Sequence, residues 1–393
     1  MSSRTYERIR GEILGRSCLL LDCFAVGTRS SEAWPGEWEQ NSEIFVNSAL
    51  LFPRSDSDAP AEKFTSATAV FRGLAEFDGR RVFKHDFGGK GARWVQQLRA
   101  RDLKPRLIHT RDAKITIGHG TGSKSSQFDT ESLTSKFWVT LEPHQPRALN
   151  DLIDLYTQVR NFVALSMHQD CRLDGPITLE PEEREGHPAR ADDFAPYVTP
   201  YEFHAVWARG TRPSYDLYNR VLSYKSMGPE GIARWLAIED ECGHVISRLA
   251  SLRFSRRLAF EDALLRVVAA ADSFHRILTR KDRENAETVL KDLAHYAGEP
   301  FLRVVPHVRS GADLTPLENW AKTVIDERHN AAHNKGKPIL LPALASELVQ
   351  SVYWLVFICL LRRANAPDTA FESLVSSQPY AWPMSAIRDE FTP

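Results

Sequence analysis

The sequence predicts an α+β protein, with a β-rich N-terminal region followed by an all-α helical bundle. Between Ile9 and Leu141 the apolar residues come in short runs broken by Gly, Pro, Ser and Asp, the pattern of strands and turns. From Leu149 onward they recur every three or four residues, the period of helices with one buried face. The chain is 393 residues long, 42% hydrophobic and 26% charged, which is enough for two cores and far from disordered or collagen-like compositions.

Residues 13–14, 18–21, 44–46, 49–52, 69–71, 107–108, 115–117 and 137–141 read as strands, and residues 53–60 as a surface loop. Leu149, Leu152, Ile153, Tyr156, Val159, Val163 and Ala164 form one helical stripe that closes the first domain, residues 1–171. Residues 172–200 carry Pro176, Pro181, Pro188, Pro196 and Pro200, cannot sustain a long helix, and are expected to link the domains. The second domain, residues 201–393, is expected to hold helices over 231–252, 258–278, 285–305, 317–333 and 341–363. Short connections between them imply antiparallel packing.

Lys plus Arg total 50 against 51 for Asp plus Glu, so no global basic field draws the chain to nucleic acid. Any RNA partner must be held by a local patch. The five cysteines are odd in number and form no Cys-x-x-Cys pair, which argues against a zinc or disulfide framework and suits a reducing, cytoplasmic location. The N-terminus shows no apolar signal segment. The longest apolar run, residues 352–361, is ten residues and is expected to be a buried helix, so no membrane association is anticipated.

Reactive side chains are densest from Asp326 to Pro338, at the end of the helix over 317–333. Leu317, Trp320, Ala321, Val324 and Ile325 define its buried stripe. At about 100° per residue Arg328 falls on the flank of that stripe, whereas Asp326, His329, Asn330 and His333 group on the opposite side. Asn334, Gly336 and Pro338 end the helix, placing His333 in its last turn with Lys335 and Lys337 beyond, where they can meet a phosphate.

Three readings compete for this cluster. One is a solvated helix face whose cations suit the C-terminal dipole. The second is a metal site, because His329 and His333 stand at i and i+4. However, Asn330 holds the place where a metallopeptidase needs its glutamate, and no third ligand is identifiable, so neither metal nor cofactor is assigned. The third is metal-independent cleavage of RNA, in which a 2′-hydroxyl attacks the adjacent phosphorus. That reaction needs a base, an acid for the leaving 5′-oxygen, and a cation for the phosphate charge. Histidine suits the proton transfers and arginine the charge. Arg328 and His333 have those types, but at five residues' spacing they diverge by about 140° on an ideal helix, so a second subunit could complete the set.

Arg328-His329-Asn330-Ala331-Ala332-His333 resembles the Arg-x4-6-His motif of HEPN domains, helical bundles of which many are RNases. The helices over 258–278, 285–305, 317–333 and 341–363 would be the core of such a domain, at about 258–363. The resemblance implies a homodimeric endoribonuclease in which Arg328 and His333 act together at the dimer interface. His329 takes the polar place after the arginine, as an orienting, substrate-binding or auxiliary acid group. Asn330, Asn334, Lys335 and Lys337 are then candidate RNA-binding residues. In the first half, the stretches over 11–14, 18–23, 44–50, 64–74 and 137–141 resemble the N-terminal domain of ApeA-type anti-phage proteins, which join such a domain to a C-terminal HEPN domain. That likeness implies abortive defence by RNA cleavage (tRNA being a possible substrate), with the first domain gating the nuclease in response to a phage-derived trigger. A different class is implied by other HEPN relatives, a noncatalytic helical dimer that binds RNA, nucleotide or a partner protein.

Residues 117–126, Ile-Gly-His-Gly-Thr-Gly-Ser-Lys-Ser-Ser, fail the phosphate-loop pattern because Ser123 stands where the second glycine must be, and a flexible hairpin is expected there. Arg248, Arg253, Arg256 and Arg257, and then Arg276, Arg280, Lys281 and Arg283, are basic runs that could supply a local RNA patch. Glu261, Asp262 and Asp272 are candidate acidic partners for the site.

Overall fold

The alternating runs of the first half pair as antiparallel strands, and the three-and-four periodicity of the second half folds as helices. A computed structural model describes residues 5–13, 16–34, 37–52, 61–80, 82–87, 96–100, 103–125, 131–182, 201–205, 219–255, 258–281, 284–304, 314–333 and 342–391. The first half contains β1 (Thr5–Ile13), β2 (Arg16–Trp34), β3 (Glu37–Phe52), β4 (Lys63–Ala69), α1 (Leu74–Asp78), β5 (Phe83–Phe87) and β6 (Gln96–Ala100). It continues through β7 (Arg106–His109), β8 (Ala113–Ser125), β9 (Glu131–Pro143), β10 (Arg147–Ala148), α2 (Leu149–Met167), β11 (Ile177–Pro181) and β12 (Tyr201–Ala205). Except for β5 and β6, which pair with each other, the described strands form one antiparallel sheet in the order β1-β2-β3-β12-β11-β4-β9-β8-β7, with β10 beside β4.

The sheet corrects the expected linker. Ile177–Pro181 pairs with β4 and Tyr201–Ala205 pairs with β3, so both ends of the proline-rich segment are central strands. Their alternation is short, Ile177-Thr178-Leu179 and Tyr201-Glu202-Phe203, and Pro176 and Pro181 sit at the two ends of β11, where a missing N–H is tolerated. The intervening residues 183–200 lie outside the described residues, as does the loop expected at 53–60.

Helix α2 lays Leu152, Tyr156, Val159, Phe162 and Val163 on the face of the sheet that carries Ile115, Ile117, Val139 and Leu141, all of them buried. The Tyr156 hydroxyl sits between the carbonyl oxygens of Ala67 and Val139 at 2.8 and 2.6 Å, which fixes the helix to two neighbouring strands. The glycine-rich stretch is the first arm of the expected hairpin, in regular strand rather than in a flexible loop, because β8 runs to Ser125 paired antiparallel with β9. Gly118 faces Trp138, where an added Cβ would come within 2.6 Å of the indole; glycine there makes room for the cross-strand tryptophan.

Asp78, at the end of α1, is fully buried and holds Arg80 Nε at 2.7 Å and Arg106 Nε at 3.0 Å. The Arg106 guanidinium in turn lies 3.9 Å over the ring of Tyr224. Asp78→Ala would leave two partly buried cations uncompensated and is expected to cost about 3 kcal/mol in urea unfolding. A loss below about 1 kcal/mol would show that the arginines find water instead.

The second half is helical: α3 (Tyr224–Ala237), α4 (Glu239–Phe254), α5 (Phe260–Thr279), α6 (Ala286–Ala297), α7 (Glu299–Leu302), α8 (Pro316–His333), α9 (Pro342–Arg363), α10 (Asp368–Val375) and α11 (Gln378–Phe391). The α+β reading therefore holds. Two expected helices are each divided, at Ile238 and at Gly298. Gly298 has φ 68°, and a Cβ there would meet Arg362, whose Nε donates to Ala297 O at 2.5 Å. Helix α9 runs through the centre of the bundle, with residues 351–361 all buried. Although the ten-residue apolar run is short, the longer segment Ala345–Arg363 is apolar enough to cross a membrane by length and composition; here it is mostly buried inside the fold.

Glu239 opens α4 and is buried. Burial, and secondly the charge of Asp240, raise its pKa from 4.5 to about 8. A carboxyl whose pKa rises on folding holds its proton in the native state while the unfolded chain has lost it. Stability therefore falls as pH climbs from 4.5 toward 8. Glu239→Gln should lift that decline, gaining on the parent by on the order of 3 kcal/mol between pH 5 and pH 8 in thermal unfolding. Parallel pH profiles for the two proteins would refute this.

Candidate active site

Helix α8 starts at a reciprocal cap. The Thr315 hydroxyl accepts from Glu318 N at 3.3 Å, and the Glu318 carboxylate accepts from Thr315 N at 2.9 Å, with Pro316 in the first turn. Its expected stripe is observed, with Leu317, Trp320, Ala321, Val324 and Ile325 all buried. Trp320 stacks edge-on to Phe301 and donates from Nε1 to Ser351 Oγ at 2.9 Å, tying α8 to the central α9. These contacts fix the axis of the helix whose last two turns carry the candidate residues.

Arg328 and Asn330 are half-buried, while His329 and His333 are exposed. The two imidazoles are neighbours, with ring centroids 6.4 Å apart, as i and i+4 spacing requires. Asp326 is turned to Lys322 at 2.5 Å and is thereby neutralised. Arg328, His329 and His333 form no hydrogen bond or ion pair with another described residue. The helix end thus presents one guanidinium and two imidazoles that no described carboxylate pairs with. Among the described residues no group of three or more His, Cys, Asp or Glu is placed to hold a metal ion. Asn334, Lys335 and Lys337 lie outside the described residues.

The expected acidic partners are elsewhere. Asp272 pairs with Arg276 at 2.7 Å, and neither Glu261 nor Asp262 bonds to Arg328, His329 or His333. Much of the basic run is likewise engaged within the chain. Arg248 donates to Ala269 O at 3.0 Å and Ser273 Oγ at 2.8 Å, Lys281 holds Glu284 at 2.8 Å, and Arg253 donates to His168 Nε2 at 2.7 Å. Arg280, exposed at the end of α5, pairs with no carboxylate among the described residues, and Arg256, Arg257 and Arg283 lie outside them. One residue beside the site escaped sequence reasoning: Glu327, next to Arg328, is 1% exposed.

No curated protein and no solved structure matches the chain. The ApeA N-terminal domain 1 family matches residues 1–211, a span that takes in the whole sheet, including β11 and β12. That match bears out the likeness of the first half to ApeA-type proteins. With 211 of its 393 residues matched, the chain belongs to the ApeA N-terminal domain 1 family.

Proposed function

We propose that this protein is a metal-independent endoribonuclease of HEPN type acting in anti-phage defence, with its active site at the end of α8. The observation that supports it best is that Arg328, His329 and His333, at the end of a helix whose other side is locked into the core, bond to no described carboxylate. Cleavage of RNA by its own 2′-hydroxyl needs proton transfer on both sides of one phosphorus and a cation on the phosphate oxygens. His333 takes or returns a proton, its neighbour His329 assists, and Arg328 meets the building negative charge. The 2′-oxygen to phosphorus bond forms as the bond to the 5′-oxygen breaks, leaving a 2′,3′-cyclic phosphate and a 5′-hydroxyl. Asn330, with Asn334, Lys335 and Lys337 beyond it, would contact the RNA backbone, and the sheet region would hold the nuclease in check until a phage component binds.

The deciding experiment incubates purified full-length protein with total RNA in EDTA and analyses fragment ends. Cyclic phosphate ends are expected; binding without cleavage would instead support a noncatalytic RNA-binding dimer. Because Arg328 and His333 diverge along one helix, we expect two copies to meet through their helical regions. Light scattering at assay concentration should give twice the chain mass, and an active monomer would refute the shared site.

A further inference from the structure

A cavity of about 230 Å³ lies where the sheet meets the helices, walled by the β7–β8 turn, α2 and the corner between α3 and α4. Its floor is apolar, made by Ile115 and Leu141 of the sheet, Val159 of α2 and Leu236 of α3. Its rim is acidic. Asp112, Asp151, Asp154 and Asp240 face two cations, Arg111 and Arg147, an excess of two negative charges. Asp112 is matched by Arg147 at 3.0 Å, and Arg111 reaches across the mouth to Asp240 at 2.8 Å.

Asp151 and Asp154 pair with no cation among the described residues. Asp151 is in the first turn of α2, where the helix dipole accounts for a carboxylate. Asp154 is a turn further in, on the same helix face as Leu155 and Gln158, and the dipole does not account for it. The acidic rim repels phosphates, so this is no second RNA site. An apolar floor of this size below unmatched carboxylates fits a short alkyl chain ending in a positive charge, and Arg111 already places one guanidinium at the mouth. With Arg111 73% and Asp240 66% exposed, that ion pair is weak and readily exchanged.

We propose that this cavity binds an alkylguanidinium or alkylammonium group, with its methylenes on Ile115, Val159 and Leu236, its charge on Asp154 and Asp240, and Arg111 displaced from Asp240. The group can come from a free small cation or from a basic side chain of a protein segment. Calorimetry on the full chain with agmatine, and separately with a blocked Gly-Arg-Gly peptide, tests this without any reference to RNA cleavage. Saturable binding of agmatine assigns a free cation, and binding of the peptide alone assigns a protein segment. Asp154→Asn should weaken binding about tenfold, through loss of one charged contact. Arg111→Gln should tighten it about two- to fivefold by removing the internal competitor. Absence of binding by both probes, unchanged affinity in Asp154→Asn, or equal or weaker affinity in Arg111→Gln would overturn the proposal. Asp154 and Arg111 are exposed, so both variants should keep the parent's unfolding transition, and Asp151→Asn gives a second reading of the rim charge.

Discussion

Replacing His333 with alanine is expected to slow RNA cleavage by about 10²–10⁴-fold while leaving the unfolding transition where it is. The side chain is exposed in the last turn of α8 and bonds to no other described residue, so its removal opens no cavity and orphans no partner. The loss would be kinetic. Arg328→Ala should fall as far, since its positive charge is then missing from beside the developing phosphate charge. Arg328→Lys separates charge from geometry: lysine keeps the charge but loses the planar fork, so partial activity is expected. His329→Ala should be milder, because His333 remains one turn away; a loss equal to that of His333→Ala would move His329 into the proton-transfer role itself. Measured single-turnover rates decide among these. If the His333 and Arg328 variants fold and still cut at the parent rate, the site is elsewhere.

The helix carrying these residues is legible in the sequence because Leu317, Trp320, Val324 and Ile325 repeat at helical spacing and Asn334 to Pro338 stop it. The burial of Glu327 is legible only in part: it stands seven residues after Trp320, beside the buried stripe, but its charge argues for solvent. The basic run illustrates the same limit from the other side. Arg248 looks available for phosphate in one dimension, yet folding brings it onto the α5 carbonyl of Ala269. Strands β11 and β12 were hidden because three alternating residues between prolines carry too little pattern to outweigh the prolines. Their partners in β3 and β4 lie more than a hundred positions away. The cavity at the rim of the sheet joins three separate stretches and has no signature in any of them.

A fragment of residues 201–393 is expected to fail as an independent folding unit, for the same reason that paired strands bound the expected linker. Cutting there takes Tyr201–Ala205 from its partners in β3 and β11. It also strips α2 from the bundle. Phe162 of α2 packs 5.5 Å from Trp235 of α3, and His168, at the end of α2, stacks at 4.7 Å on Trp354 of α9. Burial, and secondly the charge of Arg253, hold His168 well below its ordinary pKa, so the neutral ring accepts from Arg253 at 2.7 Å. That arginine lies 4.6 Å over Tyr353. Fully burying one large apolar side chain contributes about 1.5–3 kcal/mol, and exposing several consumes most of a typical net stability of about 5–15 kcal/mol. The fragment should therefore aggregate or retain helix without fixed packing, binding ANS and lacking near-ultraviolet dichroism. A monodisperse fragment with one cooperative unfolding transition would show that the bundle is autonomous. The contacts that make this prediction also give the sheet region a physical route to the candidate site, because α9 carries both Trp354, which stacks on His168, and Ser351, which accepts from Trp320 of α8. The proposed restraint of cleavage by the first region therefore has to be sought with point variants in the intact chain, where α2, α9 and α8 remain in contact.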